Sequence, residues 1–554
     1  MANEMNMNVG RIGNVSANSS TAGSRWVGAS EHCSPCEKRR KEAQMRSSMN
    51  PGPGTQNPRL NTGHSTLNTS MSRSGFVKTM GVGMAALAGV ATAKGSVAHA
   101  TPRTNPDPGH VIISPDGMLI TVRSTGANDT VNIRWALSNV ASGGTVFLPD
   151  AQYYCNQIYV ENFRGVFKGA GKDRTVLDVY GTIRPVDEFG SWFVFNGGNI
   201  LLCDMSFNPT PSNPAQKWIQ QMWGASITAI TTIRIKGASA NSNISRVNFK
   251  SNPGTLKWYG EIPVDKNILA HIWLSNDYTE FAFLPMTGNH QITSCSFEEG
   301  FAGILAWNLS DGNLKIGGSP GEGNVFNRTW FGALTDSLSN CVCEMSYNTI
   351  LDVYSSGLQP RSLFWYNQPG EYPQLSTYTV THNNVRALAG AAAIESYDYA
   401  RWDTGTAAVN LAISQNTVTT SGEEGGLYNL YGSFATVWID AFVERAIVSN
   451  NVIRGVKCYA GIYVGPGCSE AMLLGNNLNG LISDSSNPDL IAPIWLNEAS
   501  NCTVVGGNNI ANVLDMGTNN ILTGVNNMHV NIGQNVKDAM NRRRELMANE
   551  RMQR

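Results

Sequence analysis

A short phrase recurs five times between residues 380 and 510, and it constrains the fold of this chain more than any other feature. The phrase is an apolar residue, two variable residues, an asparagine, one variable residue and a second apolar residue. Its asparagines are separated by steps of 33, 34, 26 and 32 residues and are Asn383, Asn416, Asn450, Asn476 and Asn508. Such spacing indicates stacked repeats, each of which buries its apolar face only against a neighbour.

The residues of the phrase indicate strands and not helices. Its apolar positions alternate with a period of two and are rich in Val and Ile, which favour strands. Asparagine tolerates the left-handed backbone conformation, and its amide can bond to the asparagines one coil above and below. We therefore expect a parallel β-helix with a column of asparagines at one corner. A set of unrelated asparagine-containing turns is the alternative.

The phrase extends towards the N-terminus when the asparagine is not required. Asn348 occupies its place in residues 345–350, whereas Cys295, Val247 and Met205 occupy it in three earlier copies. The longer steps between these copies, 42, 48 and 53 residues, indicate inserted loops. Loops inserted at one corner of a solenoid commonly build its binding face.

Composition narrows the class of protein. The 554 residues fit one long domain, because a solenoid grows along its axis without a second core. Charged residues make up only 15% and the net charge is −1, so we expect no nucleic-acid partner bound through phosphate neutralisation.

The first hundred residues have two different compositions. Residues 1–70 are rich in Asn, Ser, Thr, Gly and Pro, and we expect a disordered leader. Residues 71–100 join a basic start, an apolar run and a small-x-small ending at Ala100, which is typical of an export signal. The run is too short to predict a stable membrane span. Arg73 and Ser74 stand where a twin-arginine signal has two arginines. We therefore expect a secreted or cell-surface protein. Since an export signal normally opens a protein, either translation starts at Met71 or residues 1–70 are an unusual leader. The alternative to an export signal is a buried apolar helix.

Residues 115–178 contain the motifs of a known superfamily. Asp129 and Thr130 precede an apolar-striped segment at 131–140, followed by Gly-Gly-Thr-Val-Phe-Leu-Pro at 143–149 and Gly-Ala-Gly at 169–171. This order resembles the opening of the pectate-lyase-like right-handed parallel β-helix superfamily. The resemblance implies an all-β, single-stranded right-handed parallel β-helix over residues 101–535, with a short N-terminal capping helix. It implies no single activity, because the superfamily includes lyases, hydrolases, epimerases, tailspikes and adhesins.

No catalytic motif of a characterised family is complete. Arg234, Ile235 and Lys236 resemble the Arg-Ile-Lys motif of polygalacturonase-like hydrolases, but the chain has neither their Gly-His-Gly nor their Asp-Asp pair.

The strands that follow each phrase have similar sequences and can be aligned coil by coil. One outward position then carries Trp273, Leu305, Ala393, Trp438, Tyr463 and Trp495, and the next carries Ser275, Trp307, Glu395, Asp440, Gly465 and Asn497. Trp438, Tyr463 and Trp495 would form an exposed aromatic track suited to sugar rings, with Trp273 and Trp307 on the same face. Glu395 and Asp440 would stand side by side, since neighbouring coils lie about 4.8 Å apart.

Two carboxyl groups at that spacing suit a retaining glycosidase, one as nucleophile and one as acid. The loop after Glu395 adds side chains that could bind substrate or metal. Arg401 could bind a substrate carboxylate or act as the base of a lyase. The other candidates are Tyr397, Trp402 and Arg361 for substrate, and Asp398 and Asp403 as ligands of a Ca²⁺ ion with the acidic pair.

These observations support two hypotheses. The first is an exported glycoside hydrolase or polysaccharide lyase that acts on a polysaccharide in a groove on one sheet. The second is a tailspike-like or adhesin-like solenoid that binds a polysaccharide or cell-surface glycan without cleaving it. The C-terminal residues 536–554 are basic and helix-prone, and Val536, Met540 and Met547 would form an apolar stripe that caps the last coil, with a cationic tail as the alternative.

Overall fold

The computed structural model describes residues 106–179, 190–209, 220–222, 225–227, 229–251, 267–277, 284–362, 373–424, 435–455, 458–481, 491–506, 512–530, 532, 534, 536–538 and 541. All of them lie in the unit from Thr101 to Arg554. The expected leader and export signal lie outside the described residues. So do the side chains of Trp402 and Asp403 and the residues Asn508, Met540 and Met547.

The described helices are α1, Thr130–Asn139, and α2, Tyr399–Thr404. The described strands are, in chain order, β1 Val111–Ile113, β2 Leu119–Val122, β3 Thr145–Leu148, β4 Ala151–Cys155, β5 Ile158–Gly169, β6 Thr175–Val179, β7 Ser191–Asn208, β8 Gln220–Met222, β9 Ala225–Ile227, β10 Ala229–Phe249, β11 Asn267–Leu274, β12 Met286–Thr293, β13 Ser296–Trp307, β14 Leu309–Gly317, β15 Val325–Asp336, β16 Val342–Ser346, β17 Thr349–Val353, β18 Ser356–Ser362, β19 Ser376–Thr381, β20 Asn384–Ala389, β21 Ala392–Asp398, β22 Val409–Ser414, β23 Thr417–Glu424, β24 Ala435–Asp440, β25 Ile447–Ser449, β26 Val452–Gly455, β27 Ala460–Val464, β28 Met472–Leu474, β29 Asn477–Gly480, β30 Ala492–Leu496, β31 Thr503–Val505, β32 Asn512–Asp515, β33 Ile521–Thr523 and β34 Asn526–Asn527.

Most strands wind as a right-handed parallel β-helix, as the sequence predicts, and the coils form three sheets. The exceptions are the antiparallel pairs β1–β2 and β8–β9. Each coil contributes a strand, or part of a long strand such as β7 or β10, to each sheet, and it pairs in parallel with its equivalent in the next coil. Sheet 1 includes β16, β19, β22, β25 and β28. Sheet 2 includes β17, β20, β23 and β26. Sheet 3 includes β15, β18, β21, β24, β27 and β30.

A buried asparagine column joins sheet 1 to sheet 2. Each side chain donates from Nδ2 to Oδ1 of the next member, at 2.9 to 3.0 Å, through Asn324, Asn348, Asn383, Asn416, Asn451 and Asn476. The member between Asn416 and Asn476 is Asn451 and not Asn450, which corrects the sequence alignment by one residue. The physical reason is burial: Val448 fills the core, while Ile447, the apolar residue that set the alignment, is exposed.

The left-handed conformation belongs to the residue before each of five column asparagines, from Asn348 to Asn476. His382, Gln415 and Asn450 have φ values of 56°, 56° and 55° and precede Asn383, Asn416 and Asn451. At this corner one residue adopts the left-handed turn and the next stacks its amide on the neighbouring coils. We had expected a single asparagine to do both.

The interior between the sheets is apolar and well ordered. Phe207, Phe249, Phe297 and Phe326 stack on successive coils at centroid distances of 5.6, 5.0 and 4.7 Å. The same position in later coils continues the core with the buried side chains of Ile350, Val385, Val418 and Ile453. All eight cysteines from Cys155 to Cys502 are buried, so they pack as small apolar groups.

Helix α1 covers the open end of the first coils, as expected. Its buried side includes Ile133, Ala136 and Leu137, which belong to the main core. Asp129 just before the helix accepts hydrogen bonds from the backbone amides of Thr125 and Tyr154 at 2.7 and 2.9 Å. Among the described residues, no helix is long and apolar enough to cross a membrane.

Candidate functional site

The outer face of sheet 3 carries a row of polar side chains in the middle of the molecule. Side chains alternate along a strand, so the residues after the interior Ile394 and Val437 point outwards. Two outer columns result. The first contains Leu334, Gln359, Glu395, Trp438, Tyr463 and Trp495. The second contains Trp307, Asp336, Arg361, Tyr397 and Asp440.

Glu395 is held by two side chains of the preceding coil. Its Oε2 accepts a hydrogen bond from the hydroxyl of Ser356 and another from Nε2 of Gln359 at 2.9 Å. Gln359 Nε2 also donates to the hydroxyl of Tyr397 at 2.8 Å. Glu395 has no exposed surface, so its orientation is set entirely by protein contacts.

An ion pair extends this network by one further coil. Arg361 contacts Oδ2 of Asp336 through Nε and NH2, both at 3.1 Å, and donates from NH1 to Oε1 of Gln359 at 3.3 Å. Ser337 donates to the other oxygen of Asp336 at 2.9 Å. A continuous hydrogen-bonded network therefore crosses three neighbouring strands, β15, β18 and β21. Arg361 lies in this network and shares its partner Gln359 with Glu395.

Asp440 is in the next coil, and its position depends on a glycine. Its Oδ1 accepts the backbone N–H of Ala441 at 2.9 Å, and 8% of the residue is exposed. A Cβ on Gly465 would lie 1.9 Å from that oxygen. The carboxyl group of Asp440 therefore occupies space that any larger residue at Gly465 would fill.

The register between the two acids differs from the expected one. Glu395 pairs with Trp438, and Tyr397 pairs with Asp440, so Glu395 takes the position expected for Ala393. The acids share a face and lie on adjacent coils, but they are two residues apart along the strands. Strand spacing and rise then place their Cα atoms about 8 Å apart. The side-by-side pair proposed from sequence is therefore wrong.

The aromatic side chains form a row, but the row is covered. Trp438 and Trp495 are 1% exposed and Tyr463 is 4% exposed, and their rings meet edge to face at 5.6 and 5.4 Å. Ile532 and Val536 belong to the same apolar cluster. The prediction of an exposed track is wrong, because this face is packed against other apolar groups. Val536 thus packs on the side of the solenoid.

Trp273 and Trp307 are also fully buried. They meet edge to face at 5.2 Å, and the guanidinium of Arg234 lies 5.4 Å from the Trp273 ring centre. Arg234 donates to the carbonyl of Asn276 at 2.8 Å. The two indoles therefore pack with a buried cation and are not available to stack on a ligand in this conformation.

Arg401 lies on α2 and points to the corner between sheets 3 and 1. It donates to the carbonyl of Phe442 at 2.9 Å and to the hydroxyl of Ser469 at 3.0 Å, and its Nε lies 3.7 Å from the carboxylate of Glu444. These contacts join three coils. Arg401 therefore stabilises the packing of these coils. We had expected it beside Glu395 and Asp440, and the structure places it at the corner instead.

Asp398, one of the two expected calcium ligands, does not suit an ion. Both oxygens of Asp398 accept backbone amides, from Arg401 at 3.1 Å and from Ala408 and Val409 at 2.8 and 2.9 Å. Burial raises the pKa of Asp398 to about 6 despite these donors. Within the described part of the chain, no group of three or more His, Cys, Asp or Glu side chains could hold a metal. Asp398 thus caps the N-terminus of α2 and holds the start of β22 through hydrogen bonds to its backbone.

Sequence alignment missed two strands of this face, and with them Ser356, Gln359 and Asp336. A usable signal was present. Two of the aligned strand segments, AGILAW and AGIYVG, have a glycine at their second position, Gly303 and Gly461. The two missed segments, FGALTD and SGLQPR, have a glycine at the same position, Gly332 and Gly357.

Comparisons with known proteins found no matching family model and no matching curated protein. Among solved structures, the mannuronan C-5 epimerase A-module of Azotobacter vinelandii is 11% identical with a TM-score of 0.37, over 74% of this chain and 94% of that chain. A family 28 exopolygalacturonase of Yersinia enterocolitica is 11% identical with a TM-score of 0.36, over 69% and 76%. A tailspike of bacteriophage CBA120 is 13% identical with a TM-score of 0.27, over 73% and 45%. At these identities and TM-scores, the likeness supports no inference about the activity of this chain.

Proposed function

We propose that this protein hydrolyses a polysaccharide at the outer face of sheet 3, with Glu395 and Asp440 as the catalytic pair. The supporting observation is the hydrogen-bonded network of Asp336, Arg361, Gln359 and Glu395 on one wall of the solenoid. Taking charged groups out of water costs several kcal/mol per ion. A catalytic role explains the buried charged groups of Asp336, Arg361 and Glu395 beside Asp440 better than packing does.

The offset between the two acids favours inversion. The Cα atoms lie about 8 Å apart and both side chains leave the same face, so we infer a similar separation of the carboxyl groups. Inverting enzymes have roughly 6.5 to 9.5 Å between these groups, which leaves room for a water molecule. Glu395, held through Oε2, takes a proton from that water as it attacks the anomeric carbon. Asp440 protonates the glycosidic oxygen as the carbon–oxygen bond breaks, and solvent restores both protonation states.

A wall of stacked strands suits an extended substrate. Equivalent positions recur every 4.8 Å or so along the axis, close to the repeat of a linear sugar chain. Because Glu395 has no exposed surface and Asp440 has little, the covering groups must move before substrate reaches them. The proposal thus includes an opening of this face during turnover.

The test is product analysis with neutral and uronic polysaccharides, with and without calcium. We expect new reducing ends whose initial anomeric configuration, followed by NMR, is opposite to that of the substrate. Glu395→Gln and Asp440→Asn should each lower kcat by roughly 10²- to 10⁴-fold. Glu470→Gln is the matched control, because that carboxylate is in an exposed ion pair with Arg445. Retained configuration, an unsaturated product or full activity in both variants would refute this pair.

Glycan binding without cleavage is the second candidate. The observation that favours it is the burial of both acids in the described conformation. In that case no products form with any substrate, while binding to one glycan survives in the Glu395→Gln/Asp440→Asn double variant.

A further inference from the structure

An open polar groove lies at the corner where sheet 3 passes into sheet 1, in the first coils and away from the acids of β21 and β24. Its volume is about 620 Å³, within the range of roughly 300 to 1,000 Å³ common for ligand sites. Residues of three successive coils, on β5, β7 and β10, line it. We infer that this groove binds a neutral oligosaccharide.

The floor of the groove is backbone that only glycine permits. Gly197, Gly198 and Gly237 have φ values of 71°, 102° and 105°. A Cβ on Gly197 would lie 2.9 Å from Oδ1 of Asn162, and one on Gly237 would lie 2.9 Å from Oδ1 of Asn196. The glycines therefore leave room for an amide of the preceding coil, and the pairing of β7 with β10 shifts in register at this corner, between Lys236 and Ala240.

The amides of the groove are partly fixed before any ligand arrives. Asn196 donates from Nδ2 to the hydroxyl of Tyr159 at 2.9 Å, and Oδ1 of Asn241 accepts the backbone N–H of Asn289 at 2.9 Å. Asn199 and Asn241 pair on adjacent strands, so their side chains share a column of sheet 1. Four asparagines and a serine thus present donors and acceptors along the axis.

This chemistry matches hydroxyl groups better than a charged ligand. A carboxamide offers both a donor and an acceptor, as a pair of neighbouring sugar hydroxyls does. The two charged lining residues, Glu161 and Arg164, have opposite signs and are both exposed, so neither anions nor cations gain a net attraction. Three coils span about 10 Å along the axis, which is about the length of two linked sugar rings.

The experiment measures binding of neutral gluco-, manno- and xylo-oligosaccharides by calorimetry, with uronic oligosaccharides as the charged comparison. Ala238→Trp should block the groove, because Ala238 is an exposed lining residue. Asn199→Ala/Asn241→Ala should remove two amides. Each change should weaken binding of the preferred neutral oligosaccharide at least tenfold. Asn410→Trp and Asn410→Ala are matched controls, since Asn410 is exposed in the same column several coils away and should leave binding unchanged.

The groove shares with the proposed hydrolysis only its class of ligand, and the two can fail separately. Groove variants that lose binding while the Glu395→Gln/Asp440→Asn double variant retains it support the groove whether or not cleavage is observed. The inference is overturned if no neutral oligosaccharide binds, if uronic oligosaccharides bind more tightly, or if binding persists in both groove variants.

Discussion

Glu395 lies directly opposite Trp438 in the parallel pair of β21 and β24, and the acid nearest to it in the next coil, Asp440, lies opposite Tyr397. This pairing changes the chemistry expected of the two acids. Side by side they would suit a covalent intermediate, whereas the two-residue offset leaves space for water between them.

Replacing Gly465 by alanine should impair turnover without unfolding the protein. The added methyl group would lie 1.9 Å from Oδ1 of Asp440 and 2.8 Å from a ring carbon of Tyr463, so the carboxyl group must turn away and the ring must shift. We expect kcat to fall at least tenfold, KM to change little, and the free energy of unfolding to fall by about 1 to 3 kcal/mol. Gly109→Ala, in an open loop, is the control, and equal kcat values for the two variants would contradict this role for Gly465.

Replacing Asn416 by alanine should weaken the solenoid itself. Its amide donates to the carbonyl of Val380 at 2.8 Å and to Oδ1 of Asn451, and its Oδ1 accepts from Asn383. Each buried partner left without a bond costs roughly 1 to 3 kcal/mol, so we expect a loss of several kcal/mol in urea unfolding. Asn289→Ala, in an exposed pair with Asn313, should cost far less; a similar loss in both would show that burial is not the cause.

Acid should destabilise the protein through two buried histidines. Burial lowers the pKa of both His271 and His290 to about 4. The unfolded chain takes up protons near pH 6.5 and the folded state near pH 4, so the free energy of unfolding falls as pH decreases between these values. Asp398, whose raised pKa of about 6 acts in the opposite direction, is unchanged by a histidine substitution.

His290→Asn isolates one of these groups and can keep the hydrogen bond to Ser242. Between pH 7 and pH 4.5 we expect the variant to lose about 2 kcal/mol less stability than the parent, measured by urea unfolding at each pH. Parallel pH curves for the two proteins would show that His290 does not titrate as proposed.

Introducing a charge at Val536 should expose the covered aromatic row. Val536 is buried in the cluster that contains Trp438 and Trp495, so an aspartate there cannot stay packed without losing its water. We expect stronger acrylamide quenching of tryptophan fluorescence, reduced when Trp495→Phe is added. Asn541→Asp adds the same charge at an exposed position and should have no effect. Unchanged quenching in Val536→Asp would mean that other groups cover the row.

Much of the fold could be predicted because its determinants are local. The asparagine phrase, the apolar alternation and the opening motif around Asp129 together predict the parallel β-helix, and the structure has it. The one-residue error at Asn450 arose where Ile447 and Val448 both fit the phrase. A slip of one residue turns every side chain to the opposite face, so burial alone resolves it.

The sequence by itself determined the coils, the capping helix and the outward faces of Glu395 and Asp440, since each depends on patterns within one repeat. Only the tertiary structure decided the register in which the strands of neighbouring coils pair on that face. A slip of two residues keeps every side chain on its own face, so alternation cannot detect it, and loops of variable length hide it from spacing. Packing between coils and over sheet 3 fixed the offset of the two acids and buried the aromatic row.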